Sequence, residues 1–128
     1  MRVTVNPDAQ ASSEFGYAAP GDYTLRVKDC KEKTKPGGEW PYLEWQFSFA
    51  DPNVKAVEPG LALGGVFEIT SLKPDAQFNL RDLCEALGLT WGDFDTDLCK
   101  GMEFRAKVGT EIYNKKIKNV IEKYEKRG

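Results

Sequence analysis

The residues best suited to chemistry in this chain are cations interleaved with aromatic rings. Arg26, Lys28, Lys31, Lys33 and Lys35 recur at short spacing and are followed by Trp40 and Tyr42, and a second run, Arg105, Lys107, Tyr113, Lys115, Lys116 and Lys118, repeats the mixture near the end. Lysine and arginine pair with phosphate, and tryptophan or tyrosine offers a flat face on which a planar base stacks. The chain has no histidine, which removes Ser/His and Cys/His nucleophilic sites, imidazole metal ligands and the commonest general base. Its three cysteines, Cys30, Cys84 and Cys99, are an odd number without CxxC spacing, which argues against a disulfide framework and a zinc knuckle. The alternating Asp93, Asp95 and Asp97 lack the glycine and glutamate of an EF-hand loop and are expected to form an exposed acidic turn. With no paired-carboxylate motif on a strand, neither enzyme activity nor a metal nor a cofactor is expected.

Net charge is −2, unevenly distributed. From Asp22 to Lys35 there are five basic residues against three acidic, and from Met102 to the end eight against four, whereas Gly37 to Gly101 holds eleven acidic and four basic. If the first and last sheet segments are neighbours, the fold gathers a cationic patch on an acidic molecule and steers a polyanion to one face. At 128 residues, 41% hydrophobic and 30% charged, the composition fits one soluble domain. No apolar run approaches the roughly 18 residues of a membrane span, and the N-terminus lacks a basic segment followed by an apolar core. An intracellular protein without a membrane partner is the expectation.

The elements that must position the cations follow from periodicity. Tyr23–Lys28 alternates with period two, and so does Tyr42–Phe49, where Leu43, Trp45, Phe47 and Phe49 share the core face. Between them Cys30–Pro41 is expected to be a long basic loop turning at Pro36-Gly37-Gly38. Residues 1–19 are expected to be an arm, with a short strand at Arg2–Val5 and anchors at Phe15 and Tyr17, leaving 20–128 as the domain. Leu61–Leu72 forms a third strand broken at Gly64-Gly65. Asn79–Gly88 is the one good helix, with Leu80, Leu83, Cys84 and Leu87 as its core stripe, Asn79 as cap and Gly88 as terminator. Trp91 and Phe94 are expected to plug the barrel bottom beside it. Met102–Val108 is a fourth strand, Gly109–Asn114 a turn, and Lys115–Tyr124 a fifth strand with Ile117 and Ile121 on one face and Lys118, Val120, Glu122 and Tyr124 on the other.

Three strands, a helix and two strands, with a long loop after the first strand and a tight one before the last, is the element order of the OB-fold, an all-β five-stranded barrel carrying one helix between its third and fourth strands. In that fold the first-second and fourth-fifth loops flank the ligand face, and here they hold Trp40 and Tyr113 beside Lys33, Lys35, Lys115 and Lys116. The segments Pro20–Val27, Lys33–Gly38, Leu98–Phe104 and Tyr113–Ile121 also resemble a family of small, long uncharacterised phage proteins regarded as OB-fold single-stranded DNA-binding proteins; the likeness covers roughly Pro20 to Tyr124. It implies a role in phage DNA replication or recombination, in the cytoplasm of the infected bacterial host, with room for an oligomer and for replication or recombination proteins as partners. Many such proteins end in an acidic tail, whereas this sequence ends Lys123-Tyr124-Glu125-Lys126-Arg127-Gly128; tail-mediated recruitment is then absent or the sequence is cut short.

The expectation is sequence-independent binding of single-stranded DNA. Arg26, Lys28, Lys33, Lys35, Arg105, Lys107, Lys115, Lys116 and Lys118 would track phosphates, while Trp40, Tyr42 and Tyr113 would stack bases. The alternative is a non-enzymatic protein-interaction or assembly adaptor on a small barrel, its lysines merely solubilising.

Overall fold

The alternation in Tyr23–Lys28 folds as a strand, and that strand runs well beyond the alternation. A computed structural model describes residues 2–3, 15–34, 37–38, 40–92, 95–113 and 115–125, with only the backbone at Tyr113. Its elements in order are β1 (Phe15–Gly16), β2 (Gly21–Thr34), β3 (Pro41–Phe49), β4 (Ala62–Leu63), β5 (Val66–Ser71), a 3-10 turn (Pro74–Ala76), α1 (Phe78–Leu87), α2 (Thr96–Cys99), β6 (Glu103–Tyr113) and β7 (Lys116–Tyr124). Half of the loop expected over Cys30–Pro41, Cys30–Thr34 together with Pro41, is therefore strand, paired from Thr34↔Pro41 back to Leu25↔Phe49.

β2 reaches that length by changing face. Val27 pairs with Phe47 but Asp29 with Gln46, so Lys28 is an extra residue in a bulge. A bulge flips which parity points outward. Before it Thr24 and Arg26 lie on the outer face, and after it Asp29, Lys31 and Lys33 do, opposite Gln46, Glu44 and Tyr42. Without the bulge, Lys31 and Lys33 would point into the core.

β2 is the centre of a five-stranded antiparallel sheet of order β5-β3-β2-β6-β7. Among the described residues no backbone ladder joins β5 to β7, so the sheet is open at its edges. The two edges nevertheless approach, and the Ile121 N–H donates to Glu68 Oε1 at 3.0 Å. The third strand breaks at Gly64-Gly65, where β4 pairs in parallel with β1 and a Cβ on Gly65 would lie 2.7 Å from the Phe47 carbonyl oxygen. Side-chain-free glycine is what lets the two backbones meet there.

The core is the inner face of this sheet covered by α1. Trp45 stacks on Phe47 at 6.1 Å, Phe47 meets Phe104 edge-on at 5.0 Å, and Leu25, Val27, Val66 and Val108 are buried beside them. The buried Trp45 Nε1–H donates to Thr70 Oγ1 at 2.8 Å, which removes the penalty of an unpaired indole N–H. From α1, Leu80, Leu83, Cys84, Ala86 and Leu87 are buried. Gly88 ends the helix in the left-handed conformation, φ 77, its N–H bonded to Cys84 and Glu85 carbonyls. Asn79 is not the cap: Gln77 takes that position without a side-chain cap bond, its amide donating to the Leu72 carbonyl instead.

Three further expectations are corrected. Strand β6 continues through Gly109 to Tyr113, and the chain reverses around Lys115, whose φ is 63, so the hairpin is longer and tighter than a turn over Gly109–Asn114. A second bulge at Lys107/Val108 brings Tyr124 opposite Ala106 on the core side, its ring 5.9 Å from Phe104, and not onto the outer face with Lys118. Phe15 is exposed; the arm is anchored by the buried Ala18, whose N–H and carbonyl both bond the buried Asn119 side chain of β7. The expected strand at Arg2–Val5 has Arg2 and Val3 outside any strand, and its other two residues lie outside the described ones, as do Asp93 and Phe94. Asp95 serves as the N-cap of α2, accepting from the Asp97 N–H at 2.9 Å. Trp91 is half-buried and packs on the core. No helix among the described residues is long and apolar enough to cross a membrane.

Candidate nucleic-acid interface

The outer face of β2, β3 and β5 is a lattice whose rows are fixed by register. The rows are Lys33–Tyr42–Ser71, Lys31–Glu44–Ile69 and Asp29–Gln46–Phe67. Trp40 enters just before β3 and is 46% exposed. Phe67 and Ile69 are 56% and 55% exposed, while their strand neighbours Val66 and Thr70 are buried and Glu68 is half-buried. The usual order of a half-buried strand is thus inverted on β5, with large apolar side chains facing out and polar ones facing in. The inward polar groups are satisfied by the Trp45 and Ile121 bonds, so the inversion is built and stable.

Sequence reasoning missed Phe67 and Ile69. In Val66-Phe67-Glu68-Ile69-Thr70 both parities carry apolar side chains, and the period alone does not say which faces the core. Glu68 gave the opposite signal, since a strand glutamate is ordinarily read as outward, and its inward placement follows only from the bond to Ile121 on the far edge.

The predicted cations do not form one cluster. Lys33 and Tyr42 are brought together as register partners near one end of β2. The hairpin carrying Tyr113, Lys115, Lys116 and Lys118 extends past Gly21, the other end, roughly 40 Å away along the strand. Between them Arg26, Arg105 and Lys107 line the outer face of β2 and β6, with Lys28 in the bulge. Lys35 and the Tyr113 side chain lie outside the described residues.

Most of these cations hold carboxylates. Arg26 Nη2 lies 2.6 Å from Glu103 Oε2, Lys33 Nζ 3.2 Å from Glu44, Lys118 Nζ 3.5 Å from Glu111, Arg105 Nε 3.8 Å from Glu125 and Lys107 Nζ 3.8 Å from Glu122. All these groups are substantially exposed, and exposed pairs are worth about 0–1 kcal/mol, so a phosphate can displace the carboxylate. Among the described residues Lys28, Lys115 and Lys123 have no ion pair.

Among the described residues two carboxylates depart from their ordinary range. The Cys30 N–H donating to Asp29, with Lys100 and Lys31 beside it, holds that carboxyl below 3.8. Burial pushes Glu68 above 4.5, partly offset by the Ile121 N–H. Burial raises the Cys30 thiol to about 12 and Cys84 to about 11, so neither is a ready nucleophile. Among the described residues no three His, Cys, Asp or Glu side chains gather as a metal site. No protein-family model matches the chain, and no curated protein aligns with it significantly.

Proposed function

We propose that this chain is a non-catalytic single-stranded DNA-binding protein, and that its sheet is an OB-type barrel presenting the outer face of β2, β3 and β5. The observation that carries the reading is the inverted strand β5. Phe67 and Ile69 stand exposed on the edge strand of this face, in rows that run through Gln46 and Glu44 to Asp29 and Lys31, with Tyr42, Lys33 and Trp40 toward one end. Rings and apolar faces suit bases, and the flanking ammonium groups suit phosphates. The strand order supports the barrel: its first strand is central, its helix lies between the third and fourth, and Glu68 bridges the two edges.

Relative to the expectation from sequence, the stacking surface moves from the two loop tips to β3 and β5, with Trp40 at its border. A setting in phage DNA replication or recombination, in the bacterial cytoplasm and with proteins of those processes as partners, rests on the resemblance of Pro20–Tyr124 to the phage family. An assembly adaptor would also use an apolar pair, but the lysines and Trp40 around it favour nucleic acid. Intrinsic fluorescence tests the reading. Oligo-dT should quench the wild-type emission, and Trp40→Phe should remove most of the quench, because Trp45 is buried and Trp91 half-buried. A quench that survives Trp40→Phe and vanishes in Trp91→Phe puts the ligand elsewhere.

A further inference from the structure

The outer face carries its own anions. Arg26–Glu103 and Lys33–Glu44 join neighbouring strands at 2.6 and 3.2 Å, and Glu44 stands in the same row as Ile69, inside the apolar patch. A surface meant only to attract phosphate gains nothing from a carboxylate there. Resting on the single-strand reading above, we infer that Glu44 and Glu103 are specificity determinants that make the face reject duplex DNA.

A duplex presents phosphates and hides the faces of its bases. At Arg26 or Lys33 it exchanges one anion for another, leaves the displaced glutamate close to its own phosphates, and recovers no stacking. Its electrostatic gain is therefore nearly cancelled. A single strand also meets the glutamates, but it lays bases on Phe67, Tyr42 and Trp40. Its flexible backbone can direct phosphates to Lys28, Lys115 and Lys123, which hold no carboxylate among the described residues. A rigid duplex cannot re-route its charges in this way, and its higher charge density makes it the more sensitive to fixed anions.

The test is the double variant Glu44→Gln/Glu103→Gln. It keeps side-chain shape and removes only exposed pairs, so its melting should stay close to wild type. Asp75→Asn/Asp82→Asn is the control, making the same change of net charge on the 3-10 turn and α1, away from the outer face. Binding of a labelled hairpin duplex and of oligo-dT is followed by anisotropy at low salt. The expected result is duplex affinity raised about tenfold or more and oligo-dT affinity raised less than about threefold, with a steeper salt slope for duplex. The control should leave the ratio of the two affinities unchanged. Equal gains for both ligands, no gain for duplex, or the same loss of selectivity in the control overturns the inference while leaving single-strand binding intact. Failure of the wild-type chain to bind oligo-dT at all overturns the proposed function and, with it, this inference.

Discussion

Replacing Phe67 with leucine separates the ring's role in stacking from its role in packing. Phe67 is 56% exposed, so less than half of its surface is covered. A wholly buried phenylalanine hides about 150–250 Å², so at about 25 cal/mol per Å² the covered part is worth under about 3 kcal/mol. Leucine retains most of that apolar contact, and such exchanges cost less than about 1.5 kcal/mol. The flat π-face is lost outright. One base–aromatic stack is worth about 1–3 kcal/mol, which corresponds to roughly a five- to 150-fold weaker dissociation constant. Because leucine keeps some contact with the base, the lower part of that range is expected. The assay is anisotropy of labelled oligo-dT, with thermal melting in parallel and the salt slope as a control, since no charge has changed. Wild-type affinity in a variant that melts like wild type would refute the argument that β5 is a base platform.

Two other predictions concern the scaffold. Leu83→Ala on α1 should cost about 2–5 kcal/mol in denaturant unfolding, because Leu83 is fully buried, while the molecules that remain folded bind oligo-dT as before; unchanged stability with lost binding would mean α1 faces the ligand. Glu68 holds its proton more tightly folded than unfolded, so its contribution to stability falls as pH rises from the ordinary 4.5 through its raised folded value. Glu68→Gln should raise the melting temperature at neutral pH and flatten the pH dependence above 4.5, whereas Asp29, shifted downward, contributes stability that is fully present above 3.8 and is lost only as pH falls below it; a variant as pH-sensitive as wild type above 4.5 refutes this.

Most of the sheet was legible because its strands alternate cleanly, as in Tyr23–Lys28 and Met102–Val108, and α1 because its leucines recur at helical spacing. The two bulges were not, since an extra residue in a ladder leaves no mark on composition. The only trace is a change of parity, from Arg26 and Lys28 to Lys31 and Lys33, and it signals that the cations stay on one face. The hairpin lengths were missed for a related reason: the charged segment Cys30–Thr34 and the glycine-led segment Gly109–Tyr113 resemble loops locally and become strand only through their partners. The cations were legible as residues but not as pairs, because Arg26 and Glu103 stand 77 positions apart and meet only through the register of β2 with β6. Phe67 and Ile69 were hidden by the inversion of β5, where polarity misreports which side is core.

Whether this face binds single strands through stacked bases and screened phosphates is read from a salt series on the wild-type chain. Affinity for oligo-dT and for duplex is measured from about 50 to 200 mM salt. Oligo-dT should bind more tightly than duplex throughout, with the logarithm of affinity falling linearly against the logarithm of salt at about −0.7 per phosphate neutralised. A flat salt dependence, or equal affinity for the two forms, would contradict it.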